Sequence, residues 1–163
     1  MDSIIDAAAY VIMKYREIAG ERLDEMKLHK LLYFTQRETL AILGKPAFPE
    51  PFEGWKYGPV SRAVRNSYCE GEILVPTKEI SDELKYIINN VIYEYGALES
   101  WKLSELSHRD VSWRRARQGL KREENGSREL RLDDIREDAG KIRPYDHVWD
   151  MYYDEFETEE TPK

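Results

Sequence analysis

Residues 80 to 95 carry the pattern that most constrains the fold of this chain. Their apolar side chains recur every three or four positions, which places them on one face of a helix. Gly96 follows directly, and glycine commonly ends a helix. The sequence therefore predicts an amphipathic helix that packs against other elements. Its apolar face consists of Ile80, Leu84, Ile87, Ile88, Val91, Ile92 and Tyr95.

Two further helices are predicted before it. Residues 3 to 19 contain an apolar stripe, Ser3 with Asp6 has capping-box spacing, and Gly20 suits the left-handed position after a helix. A second helix is predicted over residues 24 to 43. The side chains expected on or near its inner face are Met26, Leu31, Leu32, Thr35, Leu40 and Leu43.

Three prolines between residues 45 and 58 favour an extended loop, because their rings prevent regular helix. We expect a third helix to start at Pro59, since proline suits the first helical turn, and to end at Gly71. Residues 73 to 76 are too few to assign, and a strand fragment is an open alternative there. The three prolines are Pro46, Pro49 and Pro51.

The second half of the chain predicts shorter helices, at residues 101–106, 108–116, 133–139 and 144–156. Ser107 with Asp110 again has capping-box spacing, and residues 157–163 are expected to fray. The predicted fold class is mostly α: a compact single-domain helical bundle with at most a small strand pair. We expect a core domain at residues 1–118 and a C-terminal extension at 119–163 that packs on it.

Composition restricts the classes of function. The 163 residues suffice for one domain with a core, and the net charge of −7 argues against general nucleic-acid binding. Cys69 is the single cysteine, so an internal disulfide is impossible, which fits a reducing compartment such as the cytoplasm. The apolar run at residues 7–13 is too short to span a membrane.

Candidate catalytic and metal-binding residues are scattered. His29, Cys69, His108 and His147 lack the spacing of a zinc site, so no metal and no cofactor is predicted. A Cys69–His108 couple, with Asp110 nearby, stays open as the enzymatic alternative. Packing and capping roles are the favoured interpretation of these residues, and no catalytic residue is assigned.

Two regions in the C-terminal part of the chain carry opposite net charge. Residues 109–131 hold eight basic and four acidic side chains, whereas the end of the chain is acidic. The basic surplus could contact nucleic acid, meet an acidic partner or form a solvated face. The acidic residues of the tail are Asp150, Asp154, Glu155, Glu157, Glu159 and Glu160.

Two segments carry a family resemblance. Residues 28–36, with Lys30, Leu31, Leu32 and Tyr33 at their centre, are followed by Gly44, Phe48, Phe52, Trp55, Tyr57, Gly58, Pro59 and Val60. With the later Tyr95, Gly96, Leu103, Leu106, Ser107, His108 and Trp113, this pattern resembles the Panacea domain, or SocA-like antitoxin domain, over roughly residues 4–116. Gly54 and Thr35 depart from it, since the family often has alanine there, and the chain after Gly119 matches no motif.

The resemblance implies a small cytoplasmic bacterial antitoxin, often encoded in a prophage or defence island. Such proteins bind and neutralise a cognate toxin, and one type delivers its toxin to the ClpXP protease. The resemblance implies no enzymatic activity. A nucleic-acid-binding regulator that uses residues 109–131 is the runner-up interpretation.

We expect the partner to bind where two aromatic segments meet. Trp and Arg often anchor interfaces, and loop aromatics stiffened by prolines lose little entropy on binding. The predicted surface joins residues 52–58 to 109–117. Its partner-binding residues are Trp55, Tyr57, Trp113 and Arg114, with Tyr33 and Gln36 in support, and the motif residues expected to be structural are Lys30, Leu31, Leu32, Gly58, Pro59, Val60 and His108.

Overall fold

Helix α2, Glu25–Leu43, is the element around which the others pack in the computed structural model, which describes residues 1–69, 72–73 and 75–142. It contacts α1 (Ile4–Ala19), α4 (Asp82–Tyr95), α5 (Ser100–His108), α7 (Leu132–Ala139) and strand β2 (Gly58–Ser61). Because neighbours surround it, every residue from Lys27 to Leu40 is buried. The mostly α fold class is confirmed.

The ends of α1 and α2 follow the capping rules. Ser3 Oγ accepts from the Ile5 amide at 3.1 Å, and Asp24 Oδ1 accepts from the Lys27 amide at 2.9 Å. Gly20 ends α1 in the left-handed conformation, as predicted. The predicted role of Asp6 in this capping box is wrong, because its carboxylate accepts from the Thr77 amide at 2.7 Å instead. This bond connects the segment before α4 to α1.

The inner face predicted for α2 is correct at four of its six positions. Leu31, Leu32, Thr35 and Leu40 are buried. Met26 and Leu43 are exposed, because they lie in the terminal turns of the helix, beyond the neighbours that cover its middle.

Helix α4 confirms the prediction for residues 80–95, although it begins at Asp82. Ser81 precedes it, and its hydroxyl accepts from the Leu84 amide at 3.3 Å. The predicted apolar face is buried against α1 and α2 at Leu84, Ile87, Ile88, Val91 and Ile92.

The predicted helix start at Pro59 is wrong. Strands β1 (Phe52–Trp55) and β2 form an antiparallel hairpin in which Pro59 lies opposite Gly54. Helix α3, Arg62–Ser67, begins three residues later, after Ser61 accepts from the Val64 amide at 3.2 Å. Proline is tolerated here because an outer strand does not need its missing amide.

A second small hairpin follows α3. Strand β3 (Tyr68–Cys69) pairs with β4 (Glu72–Ile73), so a strand fragment does form near the predicted position, one residue earlier. Among the described residues, strands are confined to these two short antiparallel pairs and an isolated bridge between Glu53 and Glu129.

Helices α5, α6 (Val111–Ala116) and α7 match predicted pieces, but the Ser107–Asp110 capping box is wrong. Ser107 lies in the last turn of α5, where its hydroxyl donates to the Ser104 carbonyl at 2.9 Å. The start of α6 is capped instead by Asp138 of α7, whose carboxylate accepts from the Val111 and Ser112 amides at 2.8 and 2.9 Å.

The described part of the C-terminal extension contacts the core. The Leu130 amide donates to the Phe52 carbonyl at 2.8 Å, the Gly54 amide donates to the Arg128 carbonyl at 2.9 Å, and α7 packs on α2 and α6. The boundary at residue 118 stays a prediction. The predicted helix at 144–156, the frayed end, His147, Trp149 and the acidic tail lie outside the described residues.

Candidate partner-binding surface

The β1–β2 hairpin and α6 lie against each other. Trp113 Nε1 donates to the Trp55 carbonyl at 2.8 Å, and Arg117 Nη1 donates to the Gly54 carbonyl at 3.0 Å. The predicted approach of residues 52–58 to 109–117 is therefore confirmed. Both bonds use backbone carbonyls near the hairpin turn, so α6 holds this turn by main-chain contacts.

Gly54 makes this close packing possible. A Cβ at Gly54 would stand 3.0 Å from Ala116 Cβ and 3.2 Å from Arg117 Cγ, which is tighter than most real contacts. The departure from alanine noted in the sequence thus has a steric reason in this chain. A glycine at this position lets α6 approach the hairpin backbone.

A groove of about 810 Å³ opens beside the hairpin turn. Its walls come from the turn, from α5 and α6, and from residues 120–122 that follow α6. We call it the basic groove. Its lining residues are Tyr57, Trp101, Ser104, Glu105, His108, Trp113, Arg114, Arg117, Leu120, Lys121 and Arg122.

Two aromatic side chains project from the walls of the basic groove. Tyr57 is 57% exposed and Trp101 is 63% exposed, so large apolar surfaces face solvent on both sides. Trp113 is half-buried and stacks on His108 with ring centroids 3.9 Å apart and nearly parallel planes. Exposed aromatics that flank a concavity are common features of protein-binding surfaces.

The basic groove is positively charged, although the whole chain is acidic. Arg114, Lys121 and Arg122 are exposed, and among the lining residues Glu105 is the one carboxylate. His108 does not add to this charge at neutral pH, because burial, with the nearby charges of Lys30 and Arg117, lowers its pKa. Such a surface favours an acidic partner segment.

The comparison with known families agrees with the sequence pattern. Residues 28–114 match the family model described as "Antitoxin SocA-like, Panacea domain". This chain belongs to that family. Curated proteins and solved structures offer no match to it.

The match in this Panacea protein spans α2, both hairpins, α3, α4, α5 and the start of α6. It therefore includes the hairpin turn and most of the basic groove, but it ends before Arg117, Leu120, Lys121 and Arg122. Part of the groove wall thus comes from outside the matched range.

Two of the predicted partner-binding residues of this Panacea chain are buried in its core. Tyr33 donates from its hydroxyl to Asp110 Oδ2 at 2.5 Å, and Gln36 Nε2 donates to the Phe48 carbonyl at 3.0 Å. Neither side chain can touch a partner in this conformation. Their positions allow the supporting role that the sequence predicts, beneath the surface, and this role in partner binding stays a prediction.

Asp110 lies at the centre of a buried polar network beneath α6. Besides Tyr33, it accepts from Arg37 Nη1 at 2.9 Å, and Arg37 Nη2 donates to the Tyr95 hydroxyl at 3.1 Å. Burial raises the pKa of Asp110, and the Arg37 charge opposes that rise. Asp110 occupies the N-cap position of α6, as expected, but its side chain makes no cap hydrogen bond.

The remaining predicted residues lie in and around the hairpin. Trp55 is half-buried, donates from Nε1 to Glu53 at 2.9 Å and has the Arg62 guanidinium over its ring. Gly58 has a φ of +134°, and Pro59 is buried. Lys30, Leu31 and Leu32 are buried in α2.

Two residues at the basic groove, Trp101 and Arg117, are not among the predicted partner-binding residues, although Arg117 lies within the predicted segment 109–117. Trp101 starts the predicted helix 101–106, and its exposure on α5 depends on which face of that helix the bundle covers. Arg117 was counted in the basic surplus, yet it is buried and donates to the carbonyls of Gly54, Lys121 and Glu124. Sequence alone contains no signal that separates a buried arginine from its exposed neighbours.

The other functional alternatives gain no support from this geometry. In the part of the chain that the structure describes, no three His, Cys, Asp or Glu side chains cluster to hold a metal ion. His108 lines the basic groove but Asp110 does not, and the side chain of Cys69 is outside the description. None of the described helices is long and apolar enough to cross a membrane.

The basic residues of the region 109–131 are largely engaged within the protein. Arg115 pairs with Asp134 at 2.7 Å and Glu137 at 2.5 Å, and Arg109 pairs with Glu105 at 3.0 Å. Because Arg117 is buried as well, the unpaired positive charge that faces solvent is concentrated at the basic groove. No observation favours nucleic acid over an acidic protein as its ligand.

Proposed function

We propose that this chain is an antitoxin that neutralises a cognate toxin protein by binding it directly, in the cytoplasm of a bacterium. The observation that carries the proposal is the basic groove, where Tyr57 and Trp101 stand exposed beside Arg114 and Arg122. Membership in an antitoxin family supports the same function. We propose no catalytic step, cofactor or metal.

The groove has properties that suit recognition of a protein segment. Tyr57 is at the tip of a hairpin that α6 holds through two hydrogen bonds, so its backbone needs little ordering on binding. Aromatic anchors supply apolar area, while the arginines favour acidic residues around them. We expect an acidic segment of the toxin with apolar side chains to occupy the groove.

Co-expression with the product of the adjacent gene tests the proposed function. We expect growth arrest by that product alone, recovery when this chain is present, and a complex of the two that survives affinity purification and size-exclusion chromatography. Recovery of growth without any physical complex would contradict direct neutralisation. A complex without recovery would show binding but not antitoxin activity.

Neutralisation can proceed by sequestration or by delivery to a ClpXP-type protease. The half-life of the toxin distinguishes the two, measured in cells that have the protease and in cells that lack it. We propose sequestration as the simpler mechanism, because binding in the groove is sufficient for it. A toxin that is destroyed only when both this chain and the protease are present would establish delivery instead.

A further inference from the structure

A second pocket lies beside the hairpin turn. It has a volume of about 340 Å³, within the range of small-ligand sites. Its apolar walls come from Met26, Trp55, Tyr57, Pro59 and Val60. Tyr57 is shared with the basic groove, so the two concavities adjoin at the turn. We call the second one the lysine pocket, after Lys30 of α2, which also lines it.

Lys30 is an unusual residue to find in such a place. It is only 2% exposed, and its ammonium makes no hydrogen bond or ion pair with any residue that the structure describes. Burial lowers its pKa, and the more distant charge of Asp24 opposes that change. A largely buried charge without a protein partner is costly, because little water remains around it to solvate it.

His29 and Glu25, which line the pocket with Lys30, are already paired. His29 Nδ1 accepts from the Ser61 amide at 3.2 Å, so the neutral ring carries its proton on Nε2 and donates to Glu25 at 3.0 Å. Glu25 also accepts from Arg65 at 2.7 Å. None of these groups is therefore free to neutralise Lys30, which stays available to a ligand.

We propose that the lysine pocket binds a carboxylate on an apolar or aromatic stem, with the Lys30 ammonium paired to the carboxylate and the stem against Trp55, Tyr57 and Pro59. One buried ammonium suits a monoanion. A phosphate dianion would need more donors, and Glu25 at the wall disfavours a second negative charge. This inference goes beyond the proposed antitoxin function and does not depend on it.

The carboxylate can come from a free organic acid or from an acidic side chain beside an aromatic residue in a protein. Two pairs of probes separate these sources. The first pair is 3-phenylpropionate and its neutral amide, 3-phenylpropanamide. The second pair is the blocked tripeptide Phe-Glu-Phe and its neutral counterpart Phe-Gln-Phe. In each pair the shape is kept and the charge is removed.

The experiment is an NMR titration of the full chain labelled in its lysines. We expect one of the acids to shift the Lys30 side-chain signals and to raise the pKa of Lys30, while its neutral counterpart does neither. Binding of the free acid alone identifies a small-molecule site, and binding of the peptide alone identifies a protein-segment site. Lys30 signals that respond to neither acid at millimolar concentration would overturn the proposal.

Lys30→Met is the matched variant, because methionine keeps the length of the stem and removes the charge. We expect it to weaken binding of the acid about tenfold or more, as loss of one charge-assisted hydrogen bond does, and to leave the melting temperature unchanged or higher. Lys56→Met, at the wall of the same pocket, is the control and should retain binding. Equal binding of acid and amide by wild type, or undiminished acid binding by Lys30→Met, would overturn the proposal. If Lys30→Met fails to fold, the titration of the wild type decides.

Discussion

The Trp113 indole donates its Nε1 hydrogen to the backbone carbonyl of Trp55 at 2.8 Å, across 58 positions of sequence. This bond joins α6 to the hairpin turn, and residues of that turn line both concavities. Because the acceptor is a main-chain atom, the contact positions the turn whatever side chain residue 55 carries. The surface we propose for partner binding therefore depends on α6 as much as on the hairpin.

Removing an anchor of the basic groove should weaken partner binding without unfolding the protein. We expect Tyr57→Ala and Arg114→Ala each to cost about 2 kcal/mol of binding energy, roughly a thirtyfold loss of affinity. Both side chains are exposed, so the melting temperature should change little. Isothermal titration calorimetry with the purified partner measures the affinity.

Tyr93→Ala is the control for the groove variants. Tyr93 is also an exposed tyrosine, but it lies on α4 and does not line the groove. It should bind the partner as wild type does. Full affinity in both groove variants, or an equal loss in Tyr93→Ala, would place the binding surface elsewhere.

Two substitutions in the buried network under α6 should lower the free energy of unfolding by different amounts. Asp110→Ala leaves the Arg37 charge without its partner, which we expect to cost about 3–5 kcal/mol of unfolding free energy. Tyr33→Phe removes the hydrogen bonds to Asp110 and Ser112 but keeps that ion pair, so a smaller loss of about 1–2 kcal/mol is expected. Urea denaturation measures both. A smaller loss for Asp110→Ala than for Tyr33→Phe would contradict this assignment.

Gly58 should tolerate no side chain. Its φ of +134° is unfavourable for other residues, and a Cβ there would stand 3.0 Å from Ser107 Oγ. We expect Gly58→Val to lower the free energy of unfolding by about 1–3 kcal/mol. Gly20→Val is the control, because Gly20 also has a positive φ but has open space around it. An equal loss of unfolding free energy in the two variants would show that the close contact with Ser107 does not contribute to the destabilisation.

Stability should fall as pH rises through the titration of Glu38. Burial and the nearby Glu94 charge raise the pKa of Glu38 from 4.5 to about 8, while Arg37 opposes the shift. The folded protein therefore holds a proton that the unfolded chain has already released. The free energy of unfolding should decrease between these two values, by at most about 1.4 kcal/mol per pH unit, and level off above about 8.

Glu38→Gln tests this pH dependence. Denaturation is compared between about pH 7 and pH 8, above the range where His29 and His108, whose pKa values burial lowers, take up protons. We expect the variant to lose the slope and to exceed wild type in stability at the upper end. Glu94→Gln should reduce the slope without abolishing it, since burial is the larger cause. An identical slope in wild type and Glu38→Gln would exclude Glu38 as its source.

Local sequence signals predicted the ends and buried faces of the helices well, because residues within a turn or two of each other determine these features. Asp24 and Gly44 flank α2, Gly20 ends α1, and the apolar period of residues 80–95 marks the buried face of α4. They failed at Pro59, because a proline that suits a first helical turn also suits an outer strand. The pairing of β2 with β1 decided between the two.

The sequence by itself determined the helical class, the family pattern over residues 28–114 and the aromatic and basic residues of the candidate surface. Only the tertiary structure decided which polar residues are buried. Lys30, Arg37 and Glu38 read locally as solvent-facing positions of a helix, yet neighbouring elements cover α2 on every side. Likewise Tyr33 and Asp110 meet across 77 positions. Such contacts depend on how whole elements pack, and no local period or cap in the chain encodes them.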